Sequence, residues 1–480
     1  MSQCDPESTN LSTSTIIILA AGQGRRMKSD GPKAFEIVCG ERIIDHQLRT
    51  ICQTDIQQVI IVVSPQYRRD FSEIAKEYPQ LVIKLAEQAT PLGTGHAVQQ
   101  ALPLLSTQNA MVVLGDVPFI PVSVYENALL NLQTCHITTA IYENPDGLGR
   151  IIRDDKDKLL CIIEHKDCNS AQKTVREANT GIIAAKRDLL EKFLPKIQNN
   201  NQQQEYYLTD LISLFVNHEI EIQSNILTKS ETWSVQGCNT IAELITVERQ
   251  QQRARAESLI QSGVKIQDPN RFDCRGELIC GKNVTIDINV IIEGQVIIGD
   301  HTTIGPSSIL KNVTIGKNVN VKGFSHIESS RIEDHATIGP FAYCREQTHI
   351  HESAEIGCFV ETKNTTLGKK SKAKHLSYIG NLTIGEQTNI GAGVIHCNYD
   401  GHTKHQSIIQ NHVFLGANSS IIGPIHIENH ATVAAGTTIT KNVAKKSLAI
   451  ARAKQVQINN WRPKQSRTQT TVETPVTVEE

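Results

Sequence analysis

The sequence predicts two folded parts of different class, an α/β part followed by a solenoid of parallel β-strands. In the first half, short apolar runs rich in β-branched residues alternate with longer amphipathic stretches, which is typical of strands and helices around a mainly parallel sheet. In the second half, one aliphatic residue recurs at about every sixth position, most regularly at Ile286, Ile292, Ile298, Ile304 and Leu310. That period is typical of a parallel β-helix.

The size and charge of the chain fit this division and exclude some classes of protein. Its 480 residues are too many for one ordinary core, and 39% hydrophobic with 20% charged residues is a globular composition. The net charge of −2 gives no basic excess, which disfavours a nucleic-acid-binding protein. The 12 cysteines include no C-x-x-C pair, so we expect reduced thiols rather than a zinc knuckle or a redox dithiol.

The N-terminus indicates no membrane segment. The polar first residues lack a cationic stretch, and the first apolar run, residues 16–21, is too short to span a bilayer or to form a usual signal core. We therefore expect a cytoplasmic protein without a membrane partner.

The elements of the α/β part and the domain boundaries follow from the pattern. Strands are predicted at Thr15–Leu19, Val59–Val63, Met111–Leu114 and Ile137–Ile141, and helices at Ile43–Cys52 and Gly95–Leu105. We predict a disordered arm over 1–13, the α/β domain over 14–239, a connecting helix over 240–262, the solenoid over 263–454 and a partly disordered tail over 455–480.

The solenoid pattern is interrupted once, at residues 396–407. Elsewhere the repeats end in aliphatic–glycine pairs such as Ile298-Gly299 and Ile338-Gly339, but no aliphatic residue keeps step in this segment. An extruded loop is expected there. A harmless insertion is one interpretation, but polar residues held on a rigid scaffold favour a functional site.

A glycine-rich turn follows the first predicted strand. Residues 19–27 read LAAGQGRRM, and a turn of this kind exposes backbone N–H groups to phosphate oxygens. Arg26 and Lys33 add positive charge. The spacing matches neither a Walker A loop nor a dinucleotide fingerprint, so an ordinary strand–helix turn with solvated cations is the alternative.

This turn, followed by Pro32-Lys33, is similar to the signature of sugar-phosphate nucleotidyltransferases. More specifically, residues 14–462 resemble the bacterial bifunctional UDP-N-acetylglucosamine pyrophosphorylase/glucosamine-1-phosphate N-acetyltransferases. Further matching motifs lie in order at Gln88, Leu92–His96, Gly115–Pro118, Gly147–Arg150, Glu164–Asp167, Asn179–Gly181, Glu205–Asp210 and Gly237–Asn239. The resemblance implies a Rossmann-like nucleotidyltransferase domain followed by a left-handed parallel β-helix of hexapeptide repeats, assembled as a homotrimer.

For the N-terminal domain, the resemblance implies Mg²⁺-dependent uridylyl transfer from UTP to N-acetylglucosamine 1-phosphate, with release of pyrophosphate. Asp116 and Asn239 would hold Mg²⁺, for which few protein oxygens plus phosphate oxygens are suitable. Lys33 and Arg26 would be catalytic through their charge. The expected nucleotide-sugar site comprises Leu19, Ala20, Ala21, Gly22, Lys33, Gln88, Gly93, Thr94, Leu114, Gly115, Asp116, Gly149, Glu164, Asn179 and Asn239. Without the resemblance, Asp116 would be interpreted as a cap or turn residue.

Within that set, the resemblance divides the ligand. Gln88, Gly93 and Thr94 would read uracil, whose edge needs both a donor and an acceptor. Gly149, Glu164 and Asn179 would hold the sugar, its N-acetyl group and the ribose.

For the solenoid, the resemblance implies acetyl transfer from acetyl-CoA to the amine of glucosamine 1-phosphate. His375 would be the catalytic base, because an imidazole accepts a proton near neutral pH. The chain has 17 histidines, so a surface role for any one of them is the alternative. Glucosamine phosphate would be bound by Arg345, Lys363, Tyr378 and Asn389, and acetyl-CoA by Ala392, Asn398, Tyr399, Ala417, Ala435 and Arg452.

The chain departs from the family pattern at four positions. Leu114 stands where the family often has Tyr, Tyr343 where it commonly has Arg, Glu346 where it commonly has Pro, and Ala417 where it usually has Ser. The missing hydroxyl at 417 removes one hydrogen bond, worth about 0.5–1.5 kcal/mol. We expect acetyl-CoA binding to be weaker but not abolished.

A second functional hypothesis treats the solenoid as a trimerisation or regulatory module on a single-activity sugar-1-phosphate nucleotidyltransferase. The set His375, Asn398 and Tyr399 favours the bifunctional enzyme, since a purely structural solenoid has no reason to carry it.

Overall fold

The N-terminal half of the protein is a mixed sheet covered on both faces by helices. The computed structural model describes residues 11–22, 24–27, 31–130 and 132–461. Strands are numbered here in chain order. The first eleven are β1 Ser14–Leu19, β2 Ile37–Val38, β3 Glu41–Arg42, β4 Gln58–Val63, β5 Val82–Glu87, β6 Asn109–Leu114, β7 Cys135–Ile141, β8 Arg150–Arg153, β9 Leu159–Ile163, β10 Glu177–Lys186 and β11 Ile222–Leu227.

The α-helices are eight in the described residues and are also numbered in chain order. They are α1 Ile43–Ile51, α2 Arg68–Lys76, α3 Thr94–Ala101, α4 Val122–Leu129, α5 Ser170–Lys173, α6 Arg187–Phe193, α7 Asp210–Asn217 and α8 Ile241–Gln261. Short 3-10 turns lie at Leu11–Thr13, Arg25–Met27, Lys33–Phe35, Pro65–Tyr67, Leu102–Leu104, His165–Asp167, Leu194–Lys196, Thr232–Val235 and Pro269–Arg271.

The main sheet has the strand order β11-β7-β10-β6-β1-β4-β5, with β8 and β9 attached beside β10. Strands β6, β1, β4 and β5 run parallel, as predicted. Strand β10 runs antiparallel to both β6 and β7, so the sheet is mixed. Along β1, Ile16 and Ile18 pack into the core on one face and Ile17 into the core on the other. The sheet is therefore buried on both sides, which is why its strands are continuous apolar runs.

The ends of two predicted segments differ from the structure. Leu11 is buried in the core as part of a 3-10 turn, so the predicted arm is too long at its C-terminal end; residues 1–10 of that arm lie outside the described residues. The helix predicted to reach Leu105 ends at Ala101 and continues as a 3-10 turn, because Pro103 lacks the N–H that an α-helix needs. Of the predicted tail, residues 462–480 lie outside the described residues.

Helix α8 connects the two halves. Thr240 and Glu243 form a capping box at its start, with Thr240 Oγ1 accepting from the Glu243 N–H. The side chain of Gln252 is buried and bonds both backbone groups of Cys274, at 2.8 and 2.9 Å. Four residues earlier, on the same face of the helix, Glu248 Oε1 accepts from the backbone N–H of Cys39 at 3.1 Å. Both halves of the protein are thus attached to one helix.

The C-terminal half is a β-helix of parallel strands, as the six-residue period predicts. Its first face is a ladder of eleven short strands: β12 Lys265–Ile266, β14 Thr285–Ile286, β16 Thr303–Ile304, β18 Asn320–Val321, β20 Thr337–Ile338, β23 Glu355–Cys358, β26 Lys372–His375, β29 Asn389–Ile390, β32 Phe414–Leu415, β35 Thr432–Val433 and β37 Leu448–Ala449.

The other two faces begin as four long strands and then separate. The long strands are β13 Phe272–Cys280, β15 Val290–Ile298, β17 Ile309–Ile315 and β19 His326–Ile332. The second face continues through β21 Tyr343–Arg345, β24 Glu361–Lys363, β27 Tyr378–Gly380, β30 Ile395–Cys397, β33 Ser420–Ile422 and β36 Thr438–Ile439. The third continues through β22 His349–Ile350, β25 Thr366–Leu367, β28 Leu382–Ile384, β31 Ser407–Ile409 and β34 His426–Ile427.

The core of the solenoid is a single column of small aliphatic side chains. The five residues that keep step six in the sequence are all buried, and they belong to one apolar cluster that extends to Val443. Lys372 pairs with Asn389, 17 residues on, but Asn389 pairs with Phe414, 25 residues on. The extra residues leave the solenoid between β30 and β31, so the predicted extruded loop is confirmed.

Candidate active sites

The first candidate site lies where the parallel strands β1 and β6 end side by side. Leu19 and Leu114, the last residues of these strands, are register partners. The next residue, Gly115, donates its N–H to the Leu19 carbonyl at 3.0 Å, and a Cβ there would lie 2.8 Å from that oxygen. Glycine therefore lets the two loops approach each other above the sheet.

Two adjoining cavities, of about 320 and 610 Å³, open above these strand ends and share Thr94, Leu114 and Asp116. The smaller is also lined by Leu19, Ala20, Ala21, Gly22, Lys33, Gln88, Gly93 and Gly115. The larger is also lined by Arg26, Gly149, Glu164, Asn179 and Asn239. The structure thus gathers every N-terminal residue that the sequence singles out around one continuous space.

Two cations and two oxygen ligands meet at the boundary between the cavities. The Lys33 ammonium donates to Asp116 Oδ2 at 2.9 Å and to Asn239 Oδ1 at 2.6 Å. Arg26 Nη2 donates to the same Asn239 oxygen at 2.7 Å. The Cys238 N–H bonds the Asp116 carbonyl at 2.9 Å, which holds the segment before α8 against the end of β6.

This oxygen pair fits a magnesium ion. A carboxylate oxygen of Asp116 and the carboxamide oxygen of Asn239 converge on the ammonium of Lys33. The two oxygens therefore already stabilise a positive charge at this point. Hard oxygen donors in small number suit Mg²⁺, which usually takes its remaining ligands from water and phosphate.

The smaller cavity is shaped by a tight turn at the start of α3. Gly93 has φ +112°, and a Cβ there would lie 2.6 Å from the carbonyl oxygen of Tyr206. Gln88 is buried, and its Nε2 donates to the Gly93 carbonyl at 3.1 Å and lies 3.0 Å from His96 Nδ1. These bonds fix the orientation of a carboxamide at the cavity wall, where its second polar end suits a planar base.

The larger cavity is bordered by a half-buried carboxyl group. Burial raises the pKa of Glu164, and the hydroxyl of Thr209 donates to its Oε1 at 2.9 Å. Asn179 is held by its own N–H, which bonds the Gly149 carbonyl at 2.9 Å, and by its Oδ1, which accepts from the Gly181 N–H at 3.0 Å. The cavity wall thus offers several fixed donors and acceptors of the kind that a sugar requires.

Thr209, Tyr206 and His96 shape this site but had no role assigned from the sequence. Thr209 and Tyr206 belong to the motif Glu205–Asp210, and His96 ends the motif Leu92–His96. These motifs were the signal available in the sequence. Only the fold shows that Thr209 contacts Glu164, that Tyr206 lies against Gly93 and that His96 contacts Gln88.

The second candidate site lies on the solenoid, where two cations are stacked on successive coils. Arg345 on β21 and Lys363 on β24 are register partners. Glu346 bonds both, at 3.0 Å from Arg345 Nη1 and 2.8 Å from Lys363 Nζ, and Glu361 bonds Arg345 as well. Lys363 and Glu346 border an open cavity of about 480 Å³ that also includes Lys404 of the extruded loop. This pair of cations, with an exposed carboxylate between them, is suited to a phosphate group.

Tyr343, which stands where the family commonly has Arg, bonds a carboxylate without bringing a charge of its own. Its hydroxyl donates to Glu328 Oε1 at 2.7 Å, and its ring centroid lies 5.3 Å from the Arg345 guanidinium carbon. The ring therefore packs against the Arg345 guanidinium.

The remaining predicted residues of this site are distributed over two faces of the solenoid and the loop. His375 ends β26 and is exposed; in the described part of the chain its ring makes no hydrogen bond. Tyr378 begins β27 beside Glu361, and Asn389 begins β29. None of the three lines a cavity described above, so this chain alone does not enclose them.

The extruded loop is anchored at its base and open at its tip. Asn398 is buried, and its Nδ2 donates to Asn381 Oδ1 at 2.7 Å. Tyr399 is 59% exposed, and its hydroxyl bonds the Gly401 carbonyl at 2.6 Å. The loop therefore has a fixed end beside the solenoid and an aromatic side chain presented to solvent.

Ala392, Ala417 and Ala435 occupy equivalent positions on three successive coils. Their carbonyls accept from Asn418 N at 2.8 Å, from Gly436 N at 2.8 Å and from Arg452 Nη1 at 3.0 Å. The result is a strip of methyl groups with a guanidinium at its end, a surface that suits a long, partly apolar ligand with phosphates.

The comparisons with known proteins agree with this division. Residues 16–192 match the MobA-like NTP transferase domain family, and residues 278–312 and 406–441 match the bacterial transferase hexapeptide (six repeats) family. The chain is similar to proteins named "Bifunctional protein GlmU": 41% identical to that of Acinetobacter baylyi over 94% of this chain and 98% of the relative, and 42% identical to that of Pseudomonas syringae pv. syringae over 93% and 97%. No helix in the described ranges is long and apolar enough to cross a membrane.

Proposed function

The chain belongs to the family of bifunctional GlmU proteins, and from this premise we propose how its two sites divide the work of a uridylyltransferase and an acetyltransferase. The protein is a bifunctional transferase of UDP-N-acetylglucosamine synthesis. The N-terminal cavities bind UTP and N-acetylglucosamine 1-phosphate, and the solenoid binds glucosamine 1-phosphate and acetyl-CoA. The observation that carries the proposal is the meeting of Lys33, Asp116 and Asn239 between two adjoining cavities.

In the N-terminal reaction, a phosphate oxygen of N-acetylglucosamine 1-phosphate attacks the α-phosphorus of UTP. The new P–O bond forms as the bond to the β-phosphate breaks, and pyrophosphate leaves with the electron pair. No side chain forms a covalent intermediate, so catalysis consists of positioning the two phosphates and stabilising their charge. Asp116 and Asn239 would hold Mg²⁺, which would supply Lewis-acid stabilisation of the phosphate oxygens.

Lys33 and Arg26 supply mobile positive charge next to these oxygens. Each is already within hydrogen-bond distance of the Asp116–Asn239 pair. A small rotation of either side chain would therefore bring its positive charge into contact with a phosphate bound there. Gln88 and Gly93 face the base, while Glu164, Gly149 and Asn179 face the sugar. The raised pKa of Glu164 makes its carboxyl group easier to keep protonated and therefore able to donate a hydrogen bond.

In the solenoid reaction, the amine of glucosamine 1-phosphate attacks the thioester carbon of acetyl-CoA. The C–N bond forms, the C–S bond breaks, and the coenzyme leaves as a thiolate, which takes up a proton to become the thiol. His375 accepts the proton that the amine loses. Arg345 and Lys363 bind the phosphate, which displaces the Glu346 carboxylate. Tyr378 and Asn389 hold the sugar. Asn398 and Tyr399 position the acetyl donor, and the coenzyme groove is lined by Ala392, Ala417, Ala435 and Arg452.

We also propose a cytoplasmic homotrimer. On one chain His375 is exposed and Tyr378 and Asn389 are half-buried, and a neighbouring solenoid packed beside them would enclose the acetyltransferase site.

The two activities are separable by point substitution, which gives the test. His375→Ala is expected to abolish acetyl transfer, followed as thiol release with glucosamine 1-phosphate, and to leave uridylyl transfer unchanged. Asp116→Ala is expected to do the reverse, followed as pyrophosphate release. His301→Asn, an exposed histidine elsewhere on the solenoid, is the matched control and should change neither activity.

Two outcomes would overturn parts of this proposal. Full acetyl transfer by His375→Ala would show that this residue is not the base. No acetyl transfer by the unmodified protein would favour the single-activity nucleotidyltransferase with a structural solenoid.

A further inference from the structure

A cluster of two histidines and one glutamate lies on the third face of the solenoid, apart from both active sites. Glu333 directly follows β19, His349 begins β22, and His351 directly follows it. The pairs Arg331–His349 and Ile332–Ile350 are in register, so Glu333 lies beside His351 on the adjacent coil. Ile350 points into the core and is fully buried, which places the histidines on either side of it on the outer surface.

The two imidazole rings converge on one carboxylate. His349 Nε2 is 2.7 Å from Glu333 Oε1, and His351 Nδ1 is 3.2 Å from Glu333 Oε2. The rings stack with their centroids 4.0 Å apart. The side chains are 29–34% exposed, so solvent and ions can reach them.

We propose that Glu333, His349 and His351 form a binding site for a divalent transition-metal ion of the Zn²⁺ class. One oxygen and two nitrogen atoms lie within 4.8 Å of one another. A tetrahedral zinc ion with bonds of about 2.0–2.2 Å holds its ligand atoms roughly 3.4 Å apart, so small side-chain rotations suffice. Two imidazoles and a carboxylate leave the fourth position to water, and the imidazoles select against Mg²⁺ and Ca²⁺.

Stacking of histidines on successive coils does not by itself produce such a cluster. His412 and His430 also stack, with centroids 4.7 Å apart. Within the described residues neither ring has a carboxylate partner. The placement of Glu333 between two rings is therefore a specific feature of this position, and His412 provides a matched control.

The site joins two consecutive coils, since Glu333 precedes the histidines by one turn of the solenoid. A bound ion would therefore hold these coils together and raise the melting temperature of the solenoid. Each ring must present a lone pair to the ion, so protonation of the imidazoles weakens binding as the pH falls.

The experiment is titration of metal-free, tag-free full-length protein with Co²⁺, followed by visible absorption, and with Zn²⁺ in competition with a chromophoric chelator. We expect saturable binding of one ion per chain at this site, with an intense Co²⁺ spectrum and an increased melting temperature. His349→Ala and His351→Ala should each weaken binding on the order of 10-fold or more, since even the loss of an outer-shell partner costs that much. Glu333→Gln should weaken it while preserving the shape of the side chain.

Two control variants make the result specific. His412→Asn should keep full affinity, and Asp116→Ala should keep this site while altering any ion bound in the N-terminal cavities. Absence of saturable Co²⁺ or Zn²⁺ binding in the unmodified protein would overturn the proposal. So would affinity that is unchanged in both His349→Ala and His351→Ala.

Discussion

Ala417→Ser tests the proposed coenzyme groove most directly, because it adds one hydroxyl at an exposed position. The Ala417 carbonyl is already used by the Gly436 N–H at 2.8 Å. The nearby Ser419 hydroxyl bonds the Gly416 carbonyl at 2.7 Å. The neighbouring backbone carbonyls of Gly416 and Ala417 thus already have hydrogen-bond donors, so a new hydroxyl at position 417 remains free to bond a ligand in the groove.

The expected gain is that of one neutral hydrogen bond. A net value of about 0.5–1.5 kcal/mol corresponds to roughly 2- to 12-fold tighter binding. Because the methyl group of Ala417 faces solvent, the hydroxyl displaces no packed atom, and the free energy of unfolding should change by less than about 0.5 kcal/mol. The benefit belongs to binding of the coenzyme, so kcat should stay near its original value.

The assay is initial-rate acetyl transfer at varied acetyl-CoA concentration and saturating glucosamine 1-phosphate. KM for acetyl-CoA should fall within the stated range. Ala435→Ser, one coil further along the same strip, is the matched control for a hydroxyl added to this surface. An unchanged KM for Ala417→Ser, or an equal decrease for both variants, would refute the idea that position 417 donates specifically to the coenzyme.

Three further predictions follow from particular contacts. Gly93→Ala places a methyl carbon 2.6 Å from a backbone oxygen and at φ +112°, so KM for UTP should rise by about 10-fold or more with acetyl transfer unchanged. Glu346→Gln removes the charge that occupies Arg345 and Lys363, so KM for glucosamine 1-phosphate should fall about 2- to 5-fold, and less at high salt. Burial and then nearby acidic charge raise the pKa of Asp210 to about 6. Its carboxyl therefore favours the folded state below its unfolded pKa of about 3.9, and this contribution is lost as the pH rises through 6. As the pH rises from 4 to 7, the free energy of unfolding of Asp210→Asn should therefore increase by about 1 kcal/mol relative to that of the parent. The full pKa shift implies roughly 3 kcal/mol, which solvent screening reduces.

Each of these has its own check. Gly31→Ala, where a Cβ meets nothing within 4 Å, should leave KM for UTP unchanged. Glu352→Gln, which breaks a similar exposed ion pair with Lys369, should leave KM for glucosamine 1-phosphate unchanged. Denaturant unfolding at several pH values measures the Asp210→Asn effect, and a difference that is constant with pH would contradict it.

The solenoid was predictable because its period is local. A six-residue step places one aliphatic side chain in each strand, and Ile286, Ile298 and Ile304 are buried as that step requires. The extruded loop was predictable for the same reason, since an interruption in a strict period is visible in one dimension.

The mixed character of the N-terminal sheet was not predictable from local pattern. Strand β10 is apolar only over Ile182–Ala185, and it enters antiparallel between β6 and β7. Its direction depends on pairings with residues about 40 and 70 positions away, which no local signal records. The register shift between Asn179 and Ile182 then turns Asn179 toward the cavity.

The site residues divide in the same way. The strand-end motif around Asp116 could be found from the sequence, but its meeting with Asn239 depends on the bond between Cys238 and the Asp116 carbonyl. Likewise, Glu346 could be recognised as a departure from the family. That Glu346 forms ion pairs with both Arg345 and Lys363 follows only from the register that places these two residues side by side.

Helix α8 sets a limit on how the polypeptide can be cut. A fragment that stops before the helix would lose the Glu248 acceptor that holds the backbone of Cys39, and one that includes it would expose the amide of Gln252, otherwise sealed against Cys274. Each cut therefore removes a hydrogen-bond partner from a residue that is buried in the whole chain, which costs stability. The two candidate sites thus lie in separate domains, but the domains share one helix whose contacts neither domain would keep alone.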